Sequence, residues 1–322
     1  MTIHLKIKKE FANSVIILLG KGSLRDFKHE IQKDSKFVYV PLSKMPEIAY
    51  ENTEIVDIEP KEKRIRYYPK TSGGSFDLIG NIAILKYRES DRLKRVAHEI
   101  LITNKNIKAV YYDQGVSGPY RIRDLNLIEG EQVYETDYRE NGVVMKVDLS
   151  SVYFSPRLAT ERLLVSQSVK KCELIVDMFS GIGTFPLNIA HKKQCEIYAI
   201  DSNPRAIDLL NENLKKNHLV GSIHPILGLA EKEIAKFRNV DRIIMNLPHD
   251  SFMYVPAAKA ALKENGLINY YEIADVIALE ERMEQLFKMG LNIVSKRVVH
   301  SYSKIEKMYS LTLRKENNSA GP

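Results

Sequence analysis

Two short segments carry residue types that could hold and orient a ligand. Asp177-Met178-Phe179-Ser180-Gly181-Ile182-Gly183 follows the apolar run Leu174-Ile175-Val176 and opens the next helical stretch. Its two glycines allow a tight turn and close backbone approach to a bound molecule. A Gly-x-Gly turn is also common as plain structure, so the spacing alone decides nothing. Asp201 closes a second apolar run, Ile197-Tyr198-Ala199-Ile200, and lies 24 residues after Asp177. In a doubly wound sheet that puts a carboxylate at the crevice where strand order reverses, in reach of both hydroxyls of a ribose.

What is missing narrows the ligand. The dinucleotide fingerprint needs a third glycine three residues after Gly183, and this chain has Pro186 there. Asp177 also stands ahead of the glycines, where a pyrophosphate would meet like charge. S-adenosylmethionine holds no phosphate, and its cationic amino-acid part tolerates a nearby carboxylate, so it is the cofactor this pattern favours. No metal site is expected. Cys172 and Cys195 are the two cysteines, no partner motif accompanies either, and both read as buried thiols of a reducing cytoplasm.

A third segment, Asn246-Leu247-Pro248-His249, follows the apolar run ending at Met245. At the C-terminal edge of a parallel strand, an Asn can offer its amide oxygen and backbone carbonyl to a planar nitrogen heterocycle while Pro248 fixes the turn. Asn and Pro also favour ordinary strand-end turns, and that reading stands beside the first.

Positioning these segments requires a scaffold, and the periodicity supplies one. From Tyr153 onward, strand-like runs at 174–176, 197–200, 223–227, 242–245 and 266–271 alternate with helical patterns at 185–191 and 204–217. The second helix has Asn203 as N-cap and Pro204 in its first position. The alternation predicts an α/β domain over 151–322 with a parallel, Rossmann-like sheet. Residues 71–150 read as an α+β domain: a buried strand over 78–85, a helix over 91–103 capped by Ser90, and strands over 107–112, 122–128 and 142–147. Tyr111, Tyr112, Tyr120, Arg121 and Arg123 interleave rings and charge there. Arg121 and Arg123 share one strand face, which is either an RNA-facing surface or a solvated basic one. Residues 1–70 read as a small α/β appendage, with strands at 3–7 and 37–41, an apolar run ending at Gly20 and a charged segment from Glu59 to Arg64. Residues 316–322 read as disordered.

Lys+Arg number 48 against Asp+Glu 41 in 322 residues, a formal charge of +7. That surplus favours an anionic partner, nucleic acid before membrane. The run Val15–Gly20 is too short to span a bilayer, and no cleavable signal pattern follows it. A cytoplasmic monomer without a membrane partner is expected.

Tyr153-Phe154-Ser155-Pro156-Arg157-Leu158-Ala159-Thr160-Glu161-Arg162, then the segments at 177–183 and 246–249, stand in an order and spacing that resembles a known family. Tyr120-Arg121-Ile122-Arg123 and Glu140-Asn141-Gly142 upstream match it too. The family is that of the archaeal and eukaryotic tRNA guanine-37 N1-methyltransferases, including an archaeal wyosine-pathway branch. The resemblance covers residues 75–275 well and the N-terminal appendage loosely. It implies a three-part enzyme in which 1–70 reaches toward the tRNA body, 71–150 grips the anticodon stem, and 151–322 is catalytic. The implied reaction is methyl transfer from S-adenosylmethionine to N1 of the guanosine just 3′ of the anticodon.

Guanine N1 carries a proton and is no nucleophile until that proton leaves. A general base is therefore needed, and negative charge then collects on O6. On the resemblance, Glu161 is the base, Arg121 the O6-facing donor, and Asn246 orients the purine framed by Tyr153 and Pro248. Arg157 and Arg162 bind phosphates or organise Glu161, and Arg123 joins Arg121 and Arg157 in facing tRNA. The implied cofactor contacts are Arg162, Asp177, Phe179, Gly181, Gly183, Asp201, Ser202, Asn203, Leu229 and Asn246. By spacing alone, Arg157 and Glu161 are four apart and fit a surface ion pair on one helix.

Two departures from the family bear on substrate and cofactor. Gly228-Leu229-Ala230-Glu231 puts Leu229 where the family has an acid for the adenine amino group. Either Glu231 or a backbone carbonyl replaces that acid, or cofactor affinity is reduced. Asp250 and Ser251 differ from the commoner small residues and imply an altered substrate pocket. Four functions stay open: guanosine N1-methylation, methylation of the tricyclic wyosine precursor alone or in addition, aminocarboxypropyl transfer, and non-catalytic tRNA binding on a relict cofactor fold.

Overall fold

The computed structural model describes residues 2–12, 15–16, 19, 24, 26, 29–46, 52–61, 76–86 and 90–316. Parts of the sequence reading lie outside these: the end of the apolar run at Gly20, the charged residues 62–64, the segment 71–75, the side chain of Ser90 and the tail 317–322. The chain forms two compact units, Met1–Pro69 and Lys70–Pro322.

The first unit is built on a four-stranded antiparallel sheet. Its strands are β1 (Thr2–Lys8), β2 (Gln32–Lys33), β3 (Phe37–Pro41) and β4 (Thr53–Ile58), in the order β2-β3-β1-β4. Alternation along β1 and β3 sends Leu5, Ile7, Val38 and Val40 to one face, where they pack with Ala12, Val15 and Leu19. Asp34 closes the β2–β3 turn by accepting from Lys36 N and Phe37 N, each at 2.7 Å.

The second unit opens with β5 (Asp77–Ile79), β6 (Ile82–Leu85), α1 (Ser90–Thr103), β7 (Ala109–Ser117) and β8 (Ile122–Gly130), in sheet order β5-β6-β7-β8. The expected single strand over 78–85 is a hairpin instead. Gly80, at φ +56°, turns the chain between β5 and β6 because its missing Cβ avoids Thr136 Oγ1, 2.0 Å from where one would sit. β6 and β7 run parallel, joined by α1, and β7–β8 is antiparallel. β9 (Glu135–Glu140) and β10 (Val143–Asp148) form a hairpin across Asn141-Gly142, both at positive φ.

A 3-10 turn (Pro156–Leu158) and α2 (Ala159–Ser168) lead into the large sheet. It comprises β11 (Leu174–Asp177), α3 (Thr184–Ala190), β12 (Glu196–Asp201), α4 (Pro204–Lys216), β13 (Ser222–Leu227), α5 (Ala230–Ile234), β14 (Val240–Met245), α6 (Val255–Ala261), β15 (Leu262–Ala274), α7 (Val276–Lys288), β16 (Leu291–Ser301) and β17 (Lys307–Lys315). Strand order is β13-β12-β11-β14-β15-β17-β16, parallel from β13 to β15 and antiparallel at β17. The order reverses at β11 and β14, which opens a crevice at their C-terminal ends. The Asn203 cap is present, its Oδ1 accepting from Arg205 N at 3.0 Å.

The expected middle and C-terminal parts share one apolar core. Ile79, Ile82, Ile84, Tyr111, Val143 and Met145 pack with Ile182, Leu187, Ala206 and Leu209. Each fully buried Ile, Leu, Val or Met among them contributes about 1.5–3 kcal/mol relative to exposure. Cys195 is buried as expected, and burial pushes its thiol up to about 11. Cys172 is exposed, because it takes φ +63° in the turn before β11 rather than a place in a strand.

Candidate active site

A cavity of about 260 Å³ lies at the C-terminal ends of β11, β12, β13 and β14. Each strand feeds it one connection: Met178–Thr184 after β11, Asp201–Asn203 after β12, Leu229–Glu231 after β13, and Asn246–Pro248 after β14. Pro119–Arg121 and Val152–Leu158 close it from the preceding segments. Three separately read motifs therefore converge at one sheet end.

The β11 turn is tied to the end of β12. Gly181 N donates to Asp201 Oδ2 at 2.7 Å and Asn203 N to Asp201 Oδ1 at 2.9 Å. Burial raises the Asp201 carboxyl, opposed by the backbone N–H groups of Asn203, Gly181 and Ser202. The two glycines serve different ends. Gly181, at φ +54°, has open space where a Cβ would point. A Cβ on Gly183 would stand 2.3 Å from Leu210 Cδ1, so that glycine lets the turn pack on α4 and does not line the cavity. Asp177 also does not line it. Its carboxyl is fully buried, Oδ1 accepts from Phe179 N at 3.2 Å, and Oδ2 has no hydrogen-bond partner among the described residues. Burial pushes it up to about 8, Phe179 N opposing and Asp201 adding.

At the β14 end, Asn246 lines the cavity with a buried Oδ1 that has no hydrogen-bond partner among the described residues. The turn beneath it is cross-linked by hydrogen bonds. Ser251 N donates to Leu247 O at 2.8 Å, and Ser251 Oγ lies 3.1 Å from Met245 O. Ile273 N donates to Pro248 O at 3.0 Å. Ser251 is thus a staple behind the turn rather than a change in the pocket wall. Tyr153 is 40% exposed on that wall, with the Arg123 guanidinium 5.6 Å from its ring centre. Phe179, Ser202, Leu229 and Pro248 also line the cavity.

The basic residues are where the structure corrects the sequence reading. Arg121 is not on a strand face with Arg123. It sits at φ +53° in the turn before β8, lines the cavity, and has no carboxylate partner among the described residues. Arg123 is buried, bonded to Asp113 and, at 3.1 Å, to Phe154 O, so it faces no tRNA phosphate. Arg157 does not pair with Glu161. The 3-10 turn takes it off α2, and it donates to Asp77 Oδ1 at 2.8 Å and to His300 Nε2 at 3.0 Å. Arg162 reaches the cavity wall, yet its Nε and Nη2 are both held by Glu140 at 2.5 Å.

Glu161 is 4% exposed and is not among the lining residues. Its Oε1 accepts from Tyr271 Oη at 2.9 Å, Ser310 Oγ at 2.9 Å and Arg297 Nη2 at 3.0 Å, while none of these donors goes to Oε2. Those three partners, and the wall residues His300, Tyr302 and Met308, come from β15 and the β16–β17 hairpin. The sequence places Tyr271 at the end of its fifth strand and singles out none of the others, although the alternating stretch 291–301 signals a strand. Burial and then the Arg157 and Lys86 charges lower the His300 imidazole.

The site suits a nucleoside cofactor without phosphate. The Gly181 N–H that could cradle a phosphate is taken by Asp201, whose charge would repel one. S-adenosylmethionine fits: an acid for ribose hydroxyls, open space over Gly181, apolar walls from Phe179 and Leu229, and an unpartnered Asn oxygen. Among the described residues no cluster of three His, Cys, Asp or Glu could hold a metal ion.

A sheet of this order with one reversed strand, carrying such a pocket at its switch point, defines a Rossmann-like S-adenosylmethionine-dependent methyltransferase. The family model described as "TRM5/TYW2 methyltransferase domain" matches residues 136–299, and that described as "TYW2 N-terminal domain" matches 60–133. The chain belongs to the TRM5/TYW2 methyltransferase family. It is 35% identical to the Pyrococcus abyssi tRNA (guanine(37)-N(1))-methyltransferase Trm5b over 94% of this chain and 96% of that one. It is 36% identical to the Nanoarchaeum equitans tRNA (guanine(37)-N(1))/4-demethylwyosine(37)-methyltransferase Taw22 over 53% of this chain and 58% of that one. The solved complex of aTrm5 and tRNALeu superposes with TM-score 0.69 at 30% identity, covering 98% of this chain and 100% of that one.

Proposed function

We propose that this protein methylates N1 of the guanosine at position 37 of tRNA, using S-adenosylmethionine. The observation that carries the reading is the buried Asn246 Oδ1 at the cavity wall, without a hydrogen-bond donor among the described residues. A buried amide oxygen without a donor is costly, and the N–H edge of a purine would supply one. Likeness to Trm5b along nearly the whole chain supports the same acceptor.

When bound, S-adenosylmethionine supplies an electrophilic methyl carbon on its sulfonium sulfur. Asp201 would take the ribose hydroxyls, flanked by Ser202 and Asn203, with Phe179 and Leu229 against the heterocycle. Asn246 orients the guanine from its N–H edge, and Tyr153 with Pro248 frames the ring. Glu161 lies outside the lining, with three donors on Oε1, and would take the N1 proton on Oε2 once the purine is seated; Arg121, which has no carboxylate partner among the described residues, would donate to O6 as charge collects there. The surplus of +7 draws in the anionic partner. Residues 71–150 would grip the anticodon stem-loop and 1–70 the tRNA body, in a cytoplasmic monomer; no helix among the described residues is long and apolar enough to cross a membrane.

Nucleoside mass spectrometry after incubation with labelled cofactor and guanosine-37 tRNA tests this. N1-methylguanosine is expected; cofactor-saturated protein that leaves the tRNA unmethylated would overturn it. Likeness to the Nanoarchaeum equitans enzyme favours a second reading, methylation of 4-demethylwyosine at the same position, and the same assay on precursor-bearing tRNA reads it directly.

A further inference from the structure

We propose that Tyr271, Ser310 and Arg297, one row across β15, β17 and β16, are the positioning residues of Glu161, fixing its Oε1 so that Oε2 is the oxygen offered to the acceptor's proton. The inference rests on the reading of Glu161 as the base and deepens it.

The helix face that carries Glu161 is otherwise apolar. Leu158 and Val165, about a turn to either side, pack in one cluster with Tyr271 and Met308. A carboxylate brought into such a face needs donors there. The sheet supplies them in register. Tyr271 stands opposite Ser310, and Ser310 opposite Arg297. Directly opposite residues share a face of the sheet, so the three side chains form one row toward α2. All three donate to the same oxygen, Tyr271 Oη and Ser310 Oγ at 2.9 Å and Arg297 Nη2 at 3.0 Å. Arg297 Nη2 also lies 3.4 Å from Ser310 Oγ, which ties the row together. Burial and then the Glu161 charge push the Tyr271 phenol well above its ordinary value, so it stays a donor.

The neighbouring row sets this arrangement against the cavity. Ile273 is opposite Met308, and a bulge between Val298 and His300 brings His300 opposite Met308 as well. Those three side chains line the cavity. Two residues back along β15 and β17, about 7 Å, is the row that grips Glu161. The carboxylate is thus anchored one row behind the wall. Three donors leave Oε1 no free lone pair, so an incoming proton goes to Oε2. In the neutral acid Oε1 becomes the carbonyl oxygen and still accepts from all three. The carboxyl can therefore pass through both protonation states without turning.

Single-turnover methylation of guanosine-37 tRNA tests the row, because orientation acts on rate and not on binding. Tyr271→Phe, Ser310→Ala and Arg297→Met should each slow the rate constant about 5–20-fold, with affinities for tRNA and S-adenosylhomocysteine within about threefold of wild type. Arg297→Lys, which keeps a charged donor, should recover most of the Arg297→Met loss. The Arg297 side chain is 36% exposed on the edge strand, so this pair reads the row even where a buried variant fails to fold. In a Glu161→Gln background, adding Tyr271→Phe or Arg297→Met should change the rate by less than about twofold, since no base remains to be oriented. A loss of equal size in both backgrounds makes the row a packing feature and overturns the inference. So do single variants that methylate at the wild-type rate while Glu161→Gln is slow, and that result leaves the base reading standing. A Glu161→Gln rate within twofold of wild type overturns both.

Discussion

Arg162 forks onto Glu140 with two bonds of 2.5 Å, both side chains buried, and this pair joins α2 to the β9–β10 hairpin. Asn188 Nδ2 also donates to Glu140 Oε1 at 2.8 Å. Removing one partner of such a pair leaves a bare buried charge and costs about 3–5 kcal/mol. Arg162→Met should lower stability by that order in urea unfolding, with cofactor affinity of the folded fraction within about threefold of wild type. Full stability with lost cofactor affinity would return Arg162 to the cofactor contacts.

Glu161→Gln keeps an acceptor for Tyr271, Ser310 and Arg297 but cannot take a proton. Single-turnover methylation should slow by about 10²–10⁴-fold with tRNA affinity held. A rate within twofold of wild type would leave Glu161 only a framework role beneath β15 and β17.

Asp177 makes stability depend on pH. Its folded carboxyl titrates at about 8, whereas an unfolded Asp titrates near pH 4. Between those values the native state holds a proton that the unfolded chain has given up, so its contribution is fully present below about pH 4 and declines as pH rises to about 8. Asp177→Asn should flatten that decline, raising the melting temperature at pH 8 relative to wild type and not at pH 4. Parallel profiles for the two proteins would show that Asp177 is ionised in the fold.

The two turn glycines should separate stability from binding. Gly183→Ala pushes a Cβ into Leu210 at φ +85° and should cost about 1–3 kcal/mol. Gly181→Ala meets no atom within 4 Å, so it should cost about 1–2 kcal/mol from its φ of +54° alone and weaken S-adenosylhomocysteine binding more than Gly183→Ala does. The reverse order in calorimetry would mean that Gly181 does not face the ligand.

Arg121→Ala should lower the single-turnover rate by about 10²-fold and leave cofactor affinity unchanged, since Arg121 has no carboxylate to release on loss. An unaltered rate constant would exclude its role at O6.

Local signals in the sequence determined what local physics controls. The β11 run, the turn at 177–183, the acid ending β12, the Asn203-Pro204 helix start and the Asn246-Pro248 turn were all legible, because strand periodicity, capping and turn chemistry act over a few residues. The hairpin at Gly80-Asn81 was also legible, because that dipeptide between two apolar runs is a turn signal, but its flanking strands of three and four residues are short enough to read as one strand. Tertiary structure alone decided the partners of the charges. Arg162 takes Glu140 rather than Glu161, Arg157 takes Asp77 eighty positions away, and Arg123 turns inward to Asp113. A buried guanidinium is held by whichever carboxylate the packed core brings within reach, and sequence spacing carries no record of that distance.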